Sequence, residues 1–120
     1  MATTSNPPSN SYIDAHCHLA APEFKDDLHA VLSRSQAAGV KACVVVSESL
    51  PEFEEVLEIC ATYPGKLFPC LGIHPVQHGN TSVTLKEVEA ALPLLHTYSA
   101  DIVGIGEASV KILYFVTNKL

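Results

Sequence analysis

An α/β architecture, read as an incomplete (β/α) barrel with four parallel strands and intervening helices, is what this 120-residue sequence predicts. Three observations carry it. Four short apolar runs with β-branched residues alternate with three stretches whose apolar residues recur at helical spacing. No Gly-rich phosphate-binding turn follows the first run, where a dinucleotide fold would carry one. Residues suited to metal chemistry stand at the ends of the runs, the end at which such barrels build their sites.

The runs fall at residues 11–16, 40–47 (VKACVVVS), 66–74 (KLFPCLGIH) and 101–107 (DIVGIGE). Near-continuous apolar runs of this kind suit strands buried on both faces. The first helix is expected over 24–38, with Phe24, Leu28, Val31, Leu32 and Ser35 on one side and Gly39 at its C-terminal cap. The second spans 51–63, with Ser49 as cap, Pro51 in the first turn, and Phe53, Val56, Leu57 and Cys60 facing inward. Pro64-Gly65 stops it. The third spans 84–98. Thr84 and Glu87 form a capping box, and Leu85, Val88, Ala91, Leu92 and Leu95 form the apolar face. Pro93 is expected to kink or split that helix. Strands alternating with helices of this length imply parallel pairing by right-handed crossovers.

Composition narrows the class. Apolar residues make up 48% and mean hydropathy is +0.22, which excludes a disordered chain. No run approaches the roughly 18 apolar residues of a membrane span. Residues 1–10 are polar and Pro-rich, read as a disordered N-terminus without the features of a secretory signal. An intracellular place, cytoplasmic or nuclear, and no membrane partner are expected. The barrel unit is assigned to 11–107 and a divergent tail to 108–120. Net charge is −6, which counts against nonspecific adhesion to a polyanion. Cys17, Cys43, Cys60 and Cys70 form no CxxC pair, and three sit in apolar runs, the pattern of buried thiols.

His16 and His18 are two residues apart at the end of the first strand, so period-2 geometry sends both imidazoles to one side and Cys17 to the other. Two neutral imidazoles on one side suit a Zn²⁺-like ion. Asp14 shares that side and either orients an imidazole or bonds to backbone. Glu107 ends the fourth strand, where it either joins the metal or stands as an exposed carboxylate. His74 ends the third strand before Pro75; it either donates a hydrogen bond to a substrate oxygen or bonds to a backbone carbonyl. His29 and His96 lie on helices, and His78 lies in the loop 76–82.

Three ordered segments resemble the motifs of the TatD deoxyribonuclease family: residues 12–19 (YIDAHCHL), 72–75 (GIHP) and 103–107 (VGIGE). The resemblance covers residues 11–107. It implies a metal-dependent TIM-barrel hydrolase acting on phosphodiester bonds, with DNA as substrate and divalent ions (Zn, Mg or Mn), two per intact site. His16 and His18 would ligate the first metal, Glu107 would bridge two metals, and His74 would contact substrate or assist the chemistry. A metal-activated water would attack phosphorus. An amide or lactone hydrolase of the same superfamily shares the HxH motif.

After Glu107 the family continues with a Gly-Leu-Asp-type segment, whereas this chain reads Ala108-Ser109-Val110. The expectation is a truncated, non-catalytic isoform lacking the later ligands. Open sheet edges would promote self-association, and Val44, Val46, Leu71 and Ile105 would be left uncovered. The tail segment 112–116 has high β-propensity.

Overall fold

The computed structural model describes residues 10–107. Apart from Asn10, the disordered stretch expected at 1–10 lies outside the described residues, as do the divergent tail and its strand-like segment. In chain order the elements are β1 (Tyr12–Cys17), α1 (Leu28–Ala37), β2 (Val40–Val46), α2 (Glu52–Thr62) and β3 (Leu67–Leu71). There follow β4 (Val76–Gln77), β5 (Thr81–Ser82), α3 (Leu85–Thr97) and β6 (Gly104–Ile105). The main sheet has the order β1-β2-β3-β6, and every pairing in it is parallel. This is the curled half-barrel that the strand–helix alternation predicts. No helix of the described residues is long and apolar enough to cross a membrane.

β2 shows why the sheet forms. Its Cys43 and Val45 are buried in the main core cluster, while Val44 and Val46 point to the opposite face. Phe53 and Val56 of α2 and Val88 and Ala91 of α3 enter the same cluster at 1% exposure or less. α1 contributes from the side, with Leu28, Val31 and Leu32 half-buried against it, and Phe24 joins them from the segment before the helix.

Helix ends differ in detail from expectation. A 3-10 turn at Pro22–Phe24 precedes α1, which starts at Leu28 behind Asp27. Asp27 stands at the N-cap with non-helical backbone angles and makes no side-chain capping hydrogen bond; Asp is a poor interior helix former, so the helix starts after it. Gly39 ends the helix at φ 101, and its carbonyl accepts from the Tyr12 N–H at 2.8 Å, tying the start of β2 to β1. Ser49 does not cap α2. Instead the Glu52 carboxylate reaches back and accepts from the N–H groups of Glu48 (2.6 Å) and Ser49 (3.1 Å). The capping box of α3 forms as expected, through Thr84 and Glu87. Pro93 does not split α3. Its exposed ring meets no packed side, and Val88, Ala91 and Leu95 hold the helix in the core around it.

Two further corrections concern packing. The loop at 76–82 contains a small antiparallel hairpin, β4 with β5, turning through Gly79 (φ 72) and Asn80 (φ 57). Of the side chains expected to be uncovered, Leu71 (0% exposed) and Val46 (3%) are buried. Leu71 shares the helix-facing side of β3 with Leu67, where α2 packs and the main core cluster encloses it. Val46 packs beneath the backbone at Gly106. Ile105 is exposed as expected, and Tyr12 and Ile13 of β1 and Val103 before β6 are exposed with it at the two edges.

All four thiols are free; Cys43, Cys60 and Cys70 are buried and Cys17 half-buried. Burial pushes Cys17 and Cys60 up to about 12 from the usual 9.0. The unfolded chain therefore releases protons above pH 9 that the folded chain keeps until about pH 12. Stability from these thiols is intact below pH 9 and declines as pH rises toward 12. Urea midpoints should hold steady to pH 9 and then fall, less steeply in Cys60→Ala. Identical slopes for the two proteins above pH 9 would contradict this assignment.

Candidate metal centre

The site begins with how β1 ends. Cys17 turns into the sheet, where its thiol donates to the Val44 carbonyl at 3.3 Å. His16 therefore projects to the other side, and His18 returns to it. The two rings stand 5.0 Å apart between centroids, nearly perpendicular at 82°. Nδ1 of His18 lies 3.1 Å from the Val46 carbonyl. A carbonyl only accepts, so Nδ1 carries the proton and the lone pair of the neutral ring is left on Nε2. Asp14 bonds to backbone: its Oδ1 accepts from the His16 N–H at 3.0 Å.

β6 brings Glu107 to the same place from the far edge of the sheet. One oxygen of its carboxylate pairs with His16 Nε2 and lies 3.2 Å from His18 Nε2. The other lies 3.8 Å from His74 Nε2. The side chain is only 15% exposed. Among the described residues it has histidine neighbours but no Lys or Arg ion pair. Donor atoms of His16, His18 and Glu107 all fall within 4.8 Å of one another. Two imidazole nitrogens and a carboxylate oxygen are a donor set that fits one divalent cation of the Zn²⁺ type. A largely buried carboxylate without a fixed cation also favours one.

His74 is brought beside this trio rather than into it. Its N–H donates to the Glu48 carbonyl at 2.7 Å. Nδ1 lies 3.0 Å from both the N–H and the carbonyl of Val76, which leaves Nε2 facing Glu107. His29 and His96 are exposed on α1 and α3, away from the trio, and His29 lies 3.5 Å from the Tyr63 hydroxyl. His78 is exposed in the β4–β5 turn.

Two residues that the sequence reading passed over complete the rim. Glu48 follows β2, and its Oε1 lies 3.8 Å from His18 Nε2. Its strand-end position was the available signal, the same one that marked His74 and Glu107. Gln77 carried no such signal. Its Nε2 donates to the carbonyls of both Glu48 (3.0 Å) and His74 (2.8 Å), locking the β2 exit to the β3 exit. A groove of about 910 Å³ opens here, lined by Glu48, His74 and Gln77 and by Glu23, Glu52 and Glu55. No Lys or Arg lines it among the described residues.

Comparison with known proteins agrees with this picture. The family model described as TatD related DNase matches residues 13–110. The Homo sapiens protein named Deoxyribonuclease TATDN3 is 42% identical over 102 residues, covering 82% of this chain and 37% of that protein. The chain thus spans little more than a third of this relative's length. The Escherichia coli K12 protein YcfH, named a metal-dependent hydrolase, is 28% identical over 71 residues, covering 57% of this chain and 26% of that one. The crystal structure of the Escherichia coli TatD homologue YJJV superposes with a TM-score of 0.66 at 31% identity, covering 80% of this chain and 36% of that chain.

The Gln77 lock yields a direct expectation. Removing its two hydrogen bonds in Gln77→Ala should free the His74 amide from the Glu48 carbonyl. A loss of about 1–1.5 kcal/mol would speed exchange of that amide roughly five- to tenfold. Hydrogen exchange followed by NMR reads this at the single amide, with the Val45 and Leu71 amides as unchanged references. Equal acceleration at all three would mean a general loss of stability and no local lock.

Proposed function

The chain belongs to the TatD related DNase family, and from that premise we propose that residues 10–107 carry the metal-binding edge of a hydrolase acting on phosphodiester bonds of DNA. The observation that carries the metal half of this reading is the convergence of His16, His18 and Glu107 from opposite edges of the sheet. The name of the human relative, a deoxyribonuclease, supports the substrate half. An intracellular setting, cytoplasmic or nuclear, belongs to the same proposal.

His16, His18 and Glu107 would hold the cation. A bound divalent ion supplies Lewis-acid polarisation and charge neutralisation at such a site. The groove beside the trio has no Lys or Arg among the described residues, so a phosphate group seated near it would draw its neutralisation from the cation. Each protein group has its own task. His18 is set in one tautomer by the Val46 carbonyl, so its Nε2 is presented as an acceptor. Glu107 supplies negative charge between the rings. His74, held at Nδ1 by the Val76 backbone, turns its Nε2 toward Glu107 and would contact a substrate oxygen there.

The described residues offer three donors, enough for one ion. We propose weak binding of a single cation and no DNA cleavage by the 120-residue chain on its own. The exposed apolar edges at β1 and β6 support self-association of the isolated chain. Calorimetric titration with Zn²⁺ and Mn²⁺ should show one site per chain, lost in both His16→Ala and Glu107→Gln. Binding that survives both substitutions would overturn the assignment. DNA cleavage abolished by Glu107→Gln would overturn the proposal of inactivity and uphold the phosphodiesterase reading.

A further inference from the structure

Glu107 reaches the histidines at the end of a strand that passes unusually close to its neighbour. A Cβ built on Gly72 would lie 1.3 Å from the Gly106 carbonyl oxygen and 2.5 Å from its carbon. No side chain fits there. A Cβ built on Gly106 would lie 2.8 Å from Cys70 Sγ and 3.3 Å from Val46 Cγ1. The Gly106 N–H meanwhile donates to the Leu71 carbonyl at 3.2 Å. Gly104, two residues earlier and within β6, is different: its Cβ would meet Cys70 Sγ at an ordinary 3.7 Å.

Gly72 has no room to retreat. Ser47, fully buried, donates its hydroxyl to the Gly72 carbonyl (2.7 Å) and accepts from the Gly72 N–H (2.8 Å). The residue after Gly106 is Glu107 itself, held at φ 55, a left-handed conformation that few side-chain-bearing residues adopt. Its backbone has little freedom left with which to absorb a displacement of Gly106. Cys70 lies close enough to feel the carboxylate: burial chiefly, and the Glu107 charge in addition, push its thiol up.

We propose that Gly72 and Gly106 are positioning residues for Glu107, and that the close passage of their backbones over Cys70 and Val46 sets the carboxylate between His16 and His18. Its consequence for metal affinity rests on the function proposed above; the geometric claim does not.

The test uses the whole chain and two readouts. The imidazole resonances of His16 and His18 without metal report the carboxylate contact, with Glu107→Gln defining its loss. Calorimetry with Mn²⁺ reports affinity. Gly106→Ala should move the resonances toward those of Glu107→Gln and weaken Mn²⁺ binding at least about tenfold, the cost typical of a group that orients a ligand. Adding Cys70→Ala removes the obstructing sulfur and should restore both readouts. Gly72→Ala meets backbone, so Cys70→Ala should not repair it. Gly104→Ala should behave as wild type. The inference is overturned if Gly106→Ala retains wild-type resonances, or if its loss is not repaired by Cys70→Ala. Should Gly72→Ala not fold, the Gly106 and Cys70 pair decides. Absence of Mn²⁺ binding in the wild type would count against the metal reading, and the resonances would still decide the geometric one.

Discussion

Parallel pairing determines where every strand of this sheet ends. The register aligns Cys17 with Val45, Val46 with Cys70, and Leu71 with Ile105. Each strand exit therefore opens on the same edge, and whatever follows each strand is delivered there. His18 follows β1, Ser47 and Glu48 follow β2, Gly72 to His74 follow β3, and Gly106 and Glu107 follow β6. An antiparallel sheet of the same runs would have scattered these groups between two ends. Convergence of the Glu107 carboxylate with His16, 91 residues away in sequence, follows from strand direction before any side chain is considered.

The two faces of the sheet divide the labour. On the helix side, Val45, Phe53, Val56, Leu71 and Val88 supply the apolar burial that holds the strands in register. Cys17, Cys43 and Cys60 share this interior, while Cys70 lies with Val46 on the opposite face. At the exit edge polar groups act as spacers. Ser47 satisfies both backbone groups of Gly72, and Gln77 ties the Glu48 and His74 carbonyls together. None of the buried side-chain polar atoms described lacks a partner. The exit edge therefore presents His16, His18, His74 and Glu107 on a braced backbone, as a precise ligand set requires.

Much of this was legible in the sequence. The strand and helix order followed from apolar runs broken by Gly and Pro, and the gathering of His16, His18, His74 and Glu107 followed from their strand-end positions. What escaped depends on tertiary context. Leu71 was placed on the wrong face because residues 67–73 are nearly continuously apolar, so no alternation marks which side faces the helices. Pro93 carries a strong local preference that the buried face of α3 overrides. Gln77 looks like any polar loop residue until the β2 exit is beside it. Gly72 and Gly106 were noted as parts of motifs, but the contact that excludes a side chain from Gly72 joins segments that no local pattern links.

The central claim is that His16, His18 and Glu107 together hold one divalent cation, while the thiols take no part. X-ray absorption at the zinc edge on the chain loaded with one equivalent of Zn²⁺ tests this most directly. The account predicts a first shell of nitrogen and oxygen at about 2.0–2.2 Å with the outer-shell scattering of two imidazoles, reduced to at most one in His16→Ala. A sulfur shell at about 2.3 Å, or a shell of water without imidazole, would contradict it.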